Sequence, residues 1–109
     1  MITIEDFMKV DMRVGTVLAV SVNEKARKPA YRLEIDFGGE IGVKTSSAQI
    51  TDFYTPEALT GRQVVAVVNF PPRRIADVKS EVLVLGSVSE RGVVLLEPSM
   101  PVQNGERIG

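Results

Sequence analysis

Between Tyr31 and Phe37 the chain alternates without a break: Tyr31, Leu33, Ile35 and Phe37 are apolar, Arg32, Glu34 and Asp36 polar. A two-residue period of this kind marks a strand with one buried and one wet face. Upstream, Met12 to Val22 predicts a longer strand on Met12, Val14, Val17, Leu18, Val20 and Val22, with Gly15 marking a bend or bulge. Asn23 to Pro29 is polar and reads as a loop. Gly38-Gly39 predicts a hairpin turn, and Ile41 to Thr45 the returning third strand. Ser46 to Tyr54 is polar and irregular. Thr55-Pro56-Glu57-Ala58-Leu59 predicts one helical turn, with threonine as cap and proline at the first position, stopped by Gly61.

Arg62 to Phe70 predicts a fourth strand, apolar without interruption from Val64 to Val68. Continuous apolarity in a short strand implies burial on both faces. The outer cover is either a second subunit or another segment of the same chain. Val82 to Val88 predicts a fifth strand broken at Gly86, and Val93 to Leu96 a short sixth. At the start, Thr3 and the acids Glu5 and Asp6 predict a short helix with Ile4, Phe7 and Met8 on one side. So short a helix persists only when packed, on its own barrel or on a partner. The tail, Glu97 to Gly109, has too little apolar content to fold alone and must drape over the body or over a partner.

This order predicts an all-β protein, residues 1–109 forming one domain. Six strands with one helical turn between the third and fourth suggest a small closed barrel, five-stranded with a short N-terminal helix, a one-turn helix between strands 3 and 4, and a C-terminal extension. Five strands with a helix after the third is the order of the OB-fold.

Composition narrows the function classes. The chain has neither cysteine nor histidine. Disulfides, zinc sites built on Cys or His, and Cys–His or Ser–His–Asp nucleophiles are therefore excluded. We expect no enzyme, catalytic residue, metal or cofactor. Thirteen basic residues against fourteen acidic give a net charge of −1, which argues against sequence-blind nucleic-acid binding over the whole surface. Local basic clusters remain: Arg73, Arg74 and Lys79, and Arg27 and Lys28 near Lys25. No run is long enough to span a membrane, and no basic start with an apolar core suggests a signal peptide. The expectation is a cytoplasmic protein without membrane insertion.

The most strongly patterned segment is Asn69 to Leu85, which joins two apolar strands. Phe70-Pro71-Pro72 stiffens the chain at low entropic cost. Phe70 and Ile75 offer an apolar platform for a peptide side chain or a stacked base, unless Phe70 caps the core and Ile75 plugs the barrel. Arg73, Arg74 and Lys79 suit a carboxylate, a peptide carbonyl or a phosphate, unless Asp77 and Glu81 neutralise them. Ser80 either donates to such a ligand or caps the loop. Lys44, on the third strand, is placed on the same face. Arg13 is expected to pair with Asp11 or across a dimer. Phe7, Met8, Met100, Val102 and Ile108 are the dimer candidates, unless they cover the barrel within one chain.

Several segments carry a resemblance. They are Asp11-Met12-Arg13-Val14-Gly15, Ser46 to Thr51, Tyr54 to Gly61, Asn69 to Ile75 with Lys79-Ser80-Glu81, and Pro101 to Gly109. Together they resemble the stand-alone tRNA-binding-domain family, and most closely its export-related chaperone members, over nearly the whole chain. The resemblance implies an OB-fold homodimer that binds extended or unfolded polypeptides, secretory preproteins among them, on a surface of apolar pockets and basic flanks. It also implies contact with the export motor. The peptide site expected from these residues is Lys44, Phe70, Pro71, Arg73, Arg74, Ile75, Lys79 and Ser80. The alternative is a structure-selective tRNA-binding module. Ser80 matches the serine of that group's Ser-x-x-Met pattern, whereas Leu83 stands at the methionine and Lys28-Pro29 replaces the usual His-Pro pair.

Overall fold

The computed structural model describes residues 1–109. Its elements are α1 (Ile4–Met8), β1 (Met12–Val22), β2 (Tyr31–Asp36), β3 (Val43–Ala48), α2 (Pro56–Leu59), β4 (Gln63–Val67), β5 (Arg73–Ile75), β6 (Val78–Ser80), β7 (Leu83–Val84), β8 (Gly86–Ser89) and β9 (Gly92–Leu95). Five strands form one antiparallel sheet in the order β3-β2-β1-β4-β7. The sheet curls into a nearly closed barrel, and β3 meets the segment entering β7 along a seam. One backbone bond, Glu81 N–H to Thr45 O at 2.7 Å, crosses it. Side chains supply the other seam bonds. Ser46 Oγ donates to Val82 O (2.9 Å), Thr45 N–H donates to Glu81 Oε1 (3.1 Å), and Ser47 N–H donates to Ser80 Oγ (3.0 Å).

The interior is filled by the inward half of each alternating strand. Val17, Leu33, Ile35, Phe37, Leu59, Val64 and Ala66 are all fully buried in one cluster. Val14, Val65 and Val67 are buried too, but lie outside that cluster. Their register places them on the outer face of the β1–β4 pair. The continuous apolar run thus has both faces covered, as its sequence predicts. On this side the chain's own tail runs antiparallel to β1. Val102 and Asn104 are bound to the Gln63 side chain, and Asn104 Oδ1 also accepts from Thr16. Glu106 O accepts from Val14 N–H, and Gly105 and Ile108 donate to Val14 O and Met12 O.

Both helix starts are capped as their sequences predict. Thr3 and Asp6 form a reciprocal capping box, and Thr55 Oγ1 accepts from Ala58 N–H beside Pro56. Arg13 clasps Asp11 (Nε–Oδ1 2.6 Å) and donates to Gly105 O, the pairing expected within the chain. That hydrogen bond, together with the carboxylate's charge and against some burial, raises the guanidinium pKa above its ordinary value.

Several boundaries differ from the sequence reading. The bulge in β1 falls between Val17 and Ala19, not at Gly15. Gly15 is small for another reason: a Cβ there would lie 2.6 Å from Ile35 Cγ2 and 2.8 Å from the Phe37 ring. The β2–β3 connection is a wider turn than Gly38-Gly39 alone. Gly38 N–H is taken by Asp36 Oδ1, Gly42 N–H by Gly38 O, and Phe37 N–H by Gly42 O. Consequently β3 begins at Val43 and takes in Ser46 to Ala48, whose polar sequence predicts an irregular segment. The segment after Pro72 is itself a hairpin, β5 with β6, rather than a stiffened loop without strands. No helix is long and apolar enough to cross a membrane.

Candidate functional site

The β5–β6 hairpin pairs Arg73 with Ser80, Arg74 with Lys79 and Ile75 with Val78. Residues directly opposite share a face, and neighbours along a strand do not. Arg73, Ile75, Ser80 and Val78 therefore form separate cross-strand pairs from Arg74 and Lys79, which stand on the hairpin's other face. Arg73, Ile75 and Ser80 line a depression of about 460 Å³ with Ser47, Phe70, Pro71, Pro72 and Leu83. Arg74, Lys79 and Lys44 do not line it. The site predicted as one cluster is thus divided by strand alternation into an apolar depression and a separate cationic face.

Phe70 is 52% exposed and Leu83 50% exposed at the depression. Phe70 therefore does not cap the core. Ser80 lines the depression while its oxygen accepts from Ser47 N–H across the seam. Lys44 lies directly opposite the inward-facing Ile35, and its ammonium sits 3.8 Å from Glu81. Lys44 is not among the residues that line the depression, although Glu81, its ion-pair partner, is.

Pairing in the rest of the fold leaves the hairpin cations available. Asp77 bonds Lys25 at 2.8 Å and Glu81, which also lines the apolar depression, lies 3.8 Å from Lys44; neither forms an ion pair with Arg73, Arg74 or Lys79. The hydrogen bond to Asp77, and then its charge, raise the Lys25 pKa above the ordinary lysine value, slightly opposed by desolvation. A second depression, of about 380 Å³, lies beside the first. Lys25, Arg27, Lys28 and Gln49 line it, and it shares Ser47 and Ile75 with its neighbour. The sequence shows the Lys25–Lys28 cluster but not that it adjoins the hairpin. Ser47, Gln49 and Leu83 were missed as site residues. The alternation of β3 would have found Ser47, had the strand been placed at Val43–Ala48.

The turn between β5 and β6 is Ala76-Asp77, and Ala76 has φ 55°. That left-handed conformation costs a residue with a side chain about 1–2 kcal/mol. Ala76→Gly removes the strain but adds freedom to the unfolded chain. We expect a net stabilisation of about 0.5–1 kcal/mol, read as a higher urea midpoint. A lower midpoint would mean that the turn is not strained.

The remaining candidates divide. Val102 and Ile108 are half-buried and tied to the chain's own Gln63 and Met12. Phe7 is half-buried, Met8 and Met100 are exposed, and α1 buries none of its residues within the chain. The acidic side chains form no cluster that would hold a metal ion. What the geometry offers is an apolar depression beside a cationic one, both open to solvent.

A sequence model of the tRNA binding domain family matches residues 12–107. The chaperone CsaA of Bacillus anthracis, a solved structure, is 57% identical with a TM-score of 0.94, covering 100% of this chain and 99% of that one. The CsaA chaperone protein of Picrophilus torridus is 50% identical with a TM-score of 0.95, and each chain covers 100% of the other. The methionine–tRNA ligase of Pyrococcus furiosus is 34% identical over 107 residues, which are 98% of this chain and 14% of the ligase. The chain spans 14% to 16% of the length of such curated relatives.

Proposed function

The chain belongs to the tRNA-binding-domain family, and from that premise we propose that it is a non-catalytic chaperone binding extended or unfolded polypeptides on the β3–hairpin face. One observation carries the reading. An apolar depression formed by Phe70, Ile75 and Leu83, with Arg73 at its wall, adjoins a cationic one at Arg27 and Lys28. An unfolded segment presents alternating side chains, free carbonyls and carboxylates. The first depression suits the apolar side chains, and the guanidinium and ammonium groups suit the oxygens. The CsaA structures, similar along the whole chain, support a chaperone role. Within this reading residues 1–109 act as one domain in the cytoplasm, secretory preproteins are the substrates, and the export motor is a partner. A homodimer formed through Phe7, Met8 and Met100 would present two grooves and gain avidity.

The division of the hairpin sharpens the test. Crosslinking to an unfolded preprotein is expected to fall about tenfold for Arg73→Glu, the worth of one charge-assisted contact. For Arg74→Glu it stays within about twofold, as for an exposed charge outside the contact. Equal crosslinking by both variants would remove the depression as the peptide site.

The second reading is tRNA binding, favoured by the family and by the unpaired Arg74 and Lys79 on the outward face. It predicts affinity falling steeply with salt and lost in Arg74→Glu rather than Arg73→Glu. A titration of labelled tRNA at low ionic strength that shows no binding ends it.

A further inference from the structure

The two depressions have only two lining residues in common, Ser47 of β3 and Ile75 of the hairpin. One side chain reaches both. The Asn23 carboxamide nitrogen donates to Ser47 Oγ at 3.1 Å and to Ile75 O at 3.1 Å. Asn23 sits at the start of the loop between β1 and β2 and is only 6% exposed. Its own backbone is fixed in the same loop, with N–H to Ala30 O and O from Ala26 N–H. The loop's outer end is stayed by Lys25 on Asp77 at 2.8 Å. The β1–β2 loop, β3 and the hairpin therefore converge on one primary amide, beside the Ser47 N–H to Ser80 Oγ bond that also joins β3 to the hairpin. An amide nitrogen offers two donors, and here both are used.

We propose that Asn23 is a positioning residue that fixes the saddle between the apolar and cationic depressions, making them one continuous groove. This rests on the reading of that face as a polypeptide site. Asn23 is buried beneath the saddle, so its effect passes through where Ile75 and Ser47 stand. A ligand filling only the apolar depression also has Phe70, Pro71, Pro72 and Leu83 to rest on, none of which Asn23 holds, and it does not need the second depression in register. A ligand that crosses it, with an apolar residue at one end and a carboxylate at the Arg27–Lys28 end, depends on the two depressions keeping their spacing.

The test compares two fluorescent peptides. The short probe is a capped tripeptide with one central leucine. The long probe has eight residues, about 26 Å extended, with leucine near one end and two glutamates near the other. On the unaltered chain the long probe should bind about tenfold more tightly than the short one, the gain of one further charge-assisted contact. In Asn23→Ala the short probe's affinity stays within about twofold, and the long probe's advantage falls below about threefold. A loss of fold would weaken both probes together, so the unchanged short probe controls for it. If Asn23→Ala does not fold, Ser47→Ala, which leaves the amide only its Ile75 acceptor, must still reduce the length advantage. An advantage retained in full by the folded variant overturns the proposal. Failure of the unaltered chain to bind either probe overturns instead the reading of the face as a peptide site.

Discussion

Gly15→Val is expected to destabilise the barrel by about 3 kcal/mol, the upper range for forcing methyl groups into a packed core. Even the first added carbon, Cβ, would lie 2.6 Å from Ile35 Cγ2 and 2.8 Å from two Phe37 ring carbons. Ile35 and Phe37 are fully buried in the central cluster and have nowhere to retreat. Gly15 also pairs directly with the fully buried Val64, so β1 cannot shift outward without breaking its ladder to β4. Gly15→Ala should cost about half as much. Urea denaturation measures both, and a valine variant whose midpoint stays within about 0.5 M of the original would show that the core yields there.

The largest effect on binding is expected from Ile75→Glu. Ile75 lines both depressions, while its carbonyl is held by Asn23 independently of its side chain. The substitution removes apolar surface from the middle of the contact and places a carboxylate where a ligand must desolvate it. Central residues of this kind carry about 2–4 kcal/mol of a binding energy, so affinity for an unfolded preprotein should fall at least about 30-fold. Ile75 is only half-buried, so fold stability should change by about 1 kcal/mol or less. Fluorescence anisotropy with a labelled preprotein, beside a urea curve, separates the two effects. Unchanged affinity in a folded Ile75→Glu chain would exclude this saddle from the polypeptide site.

What was legible in the sequence follows the strength of each local signal. The limits of β1, the alternation of β2, the capped turn of α2 and the two-faced burial of β4 all come from period and capping, and the structure keeps them. The barrel, its two short helices and the draped tail were legible for the same reason. β3 was misplaced because Thr45, Ser46 and Ser47 carry no apolar alternation. Ser46 is buried nonetheless, with its hydroxyl spent on Val82 O across the seam. The role of Gly15 could not be read locally, since the Phe37 ring that excludes a side chain lies on another strand. In the candidate site, Phe70, Arg73, Ile75 and Ser80 were brought together as expected. Arg74 and Lys79 were grouped with them by proximity in sequence, and strand alternation separates them; Lys44, grouped by topology, does not line the depression. The cationic depression and Asn23 lay beyond reach because they depend on a loop fifty residues away from the hairpin it touches.

The tail brings residues 107–108 back against residues 8–12, where the barrel begins: Arg107 donates to Met8 O, and Ile108 N–H to Met12 O. A unit whose entrance and exit share one spot can be spliced into a host sequence as a cassette, because the host has almost no gap to bridge. That economy suits a barrel whose relatives carry it as a small fraction of far longer ligases.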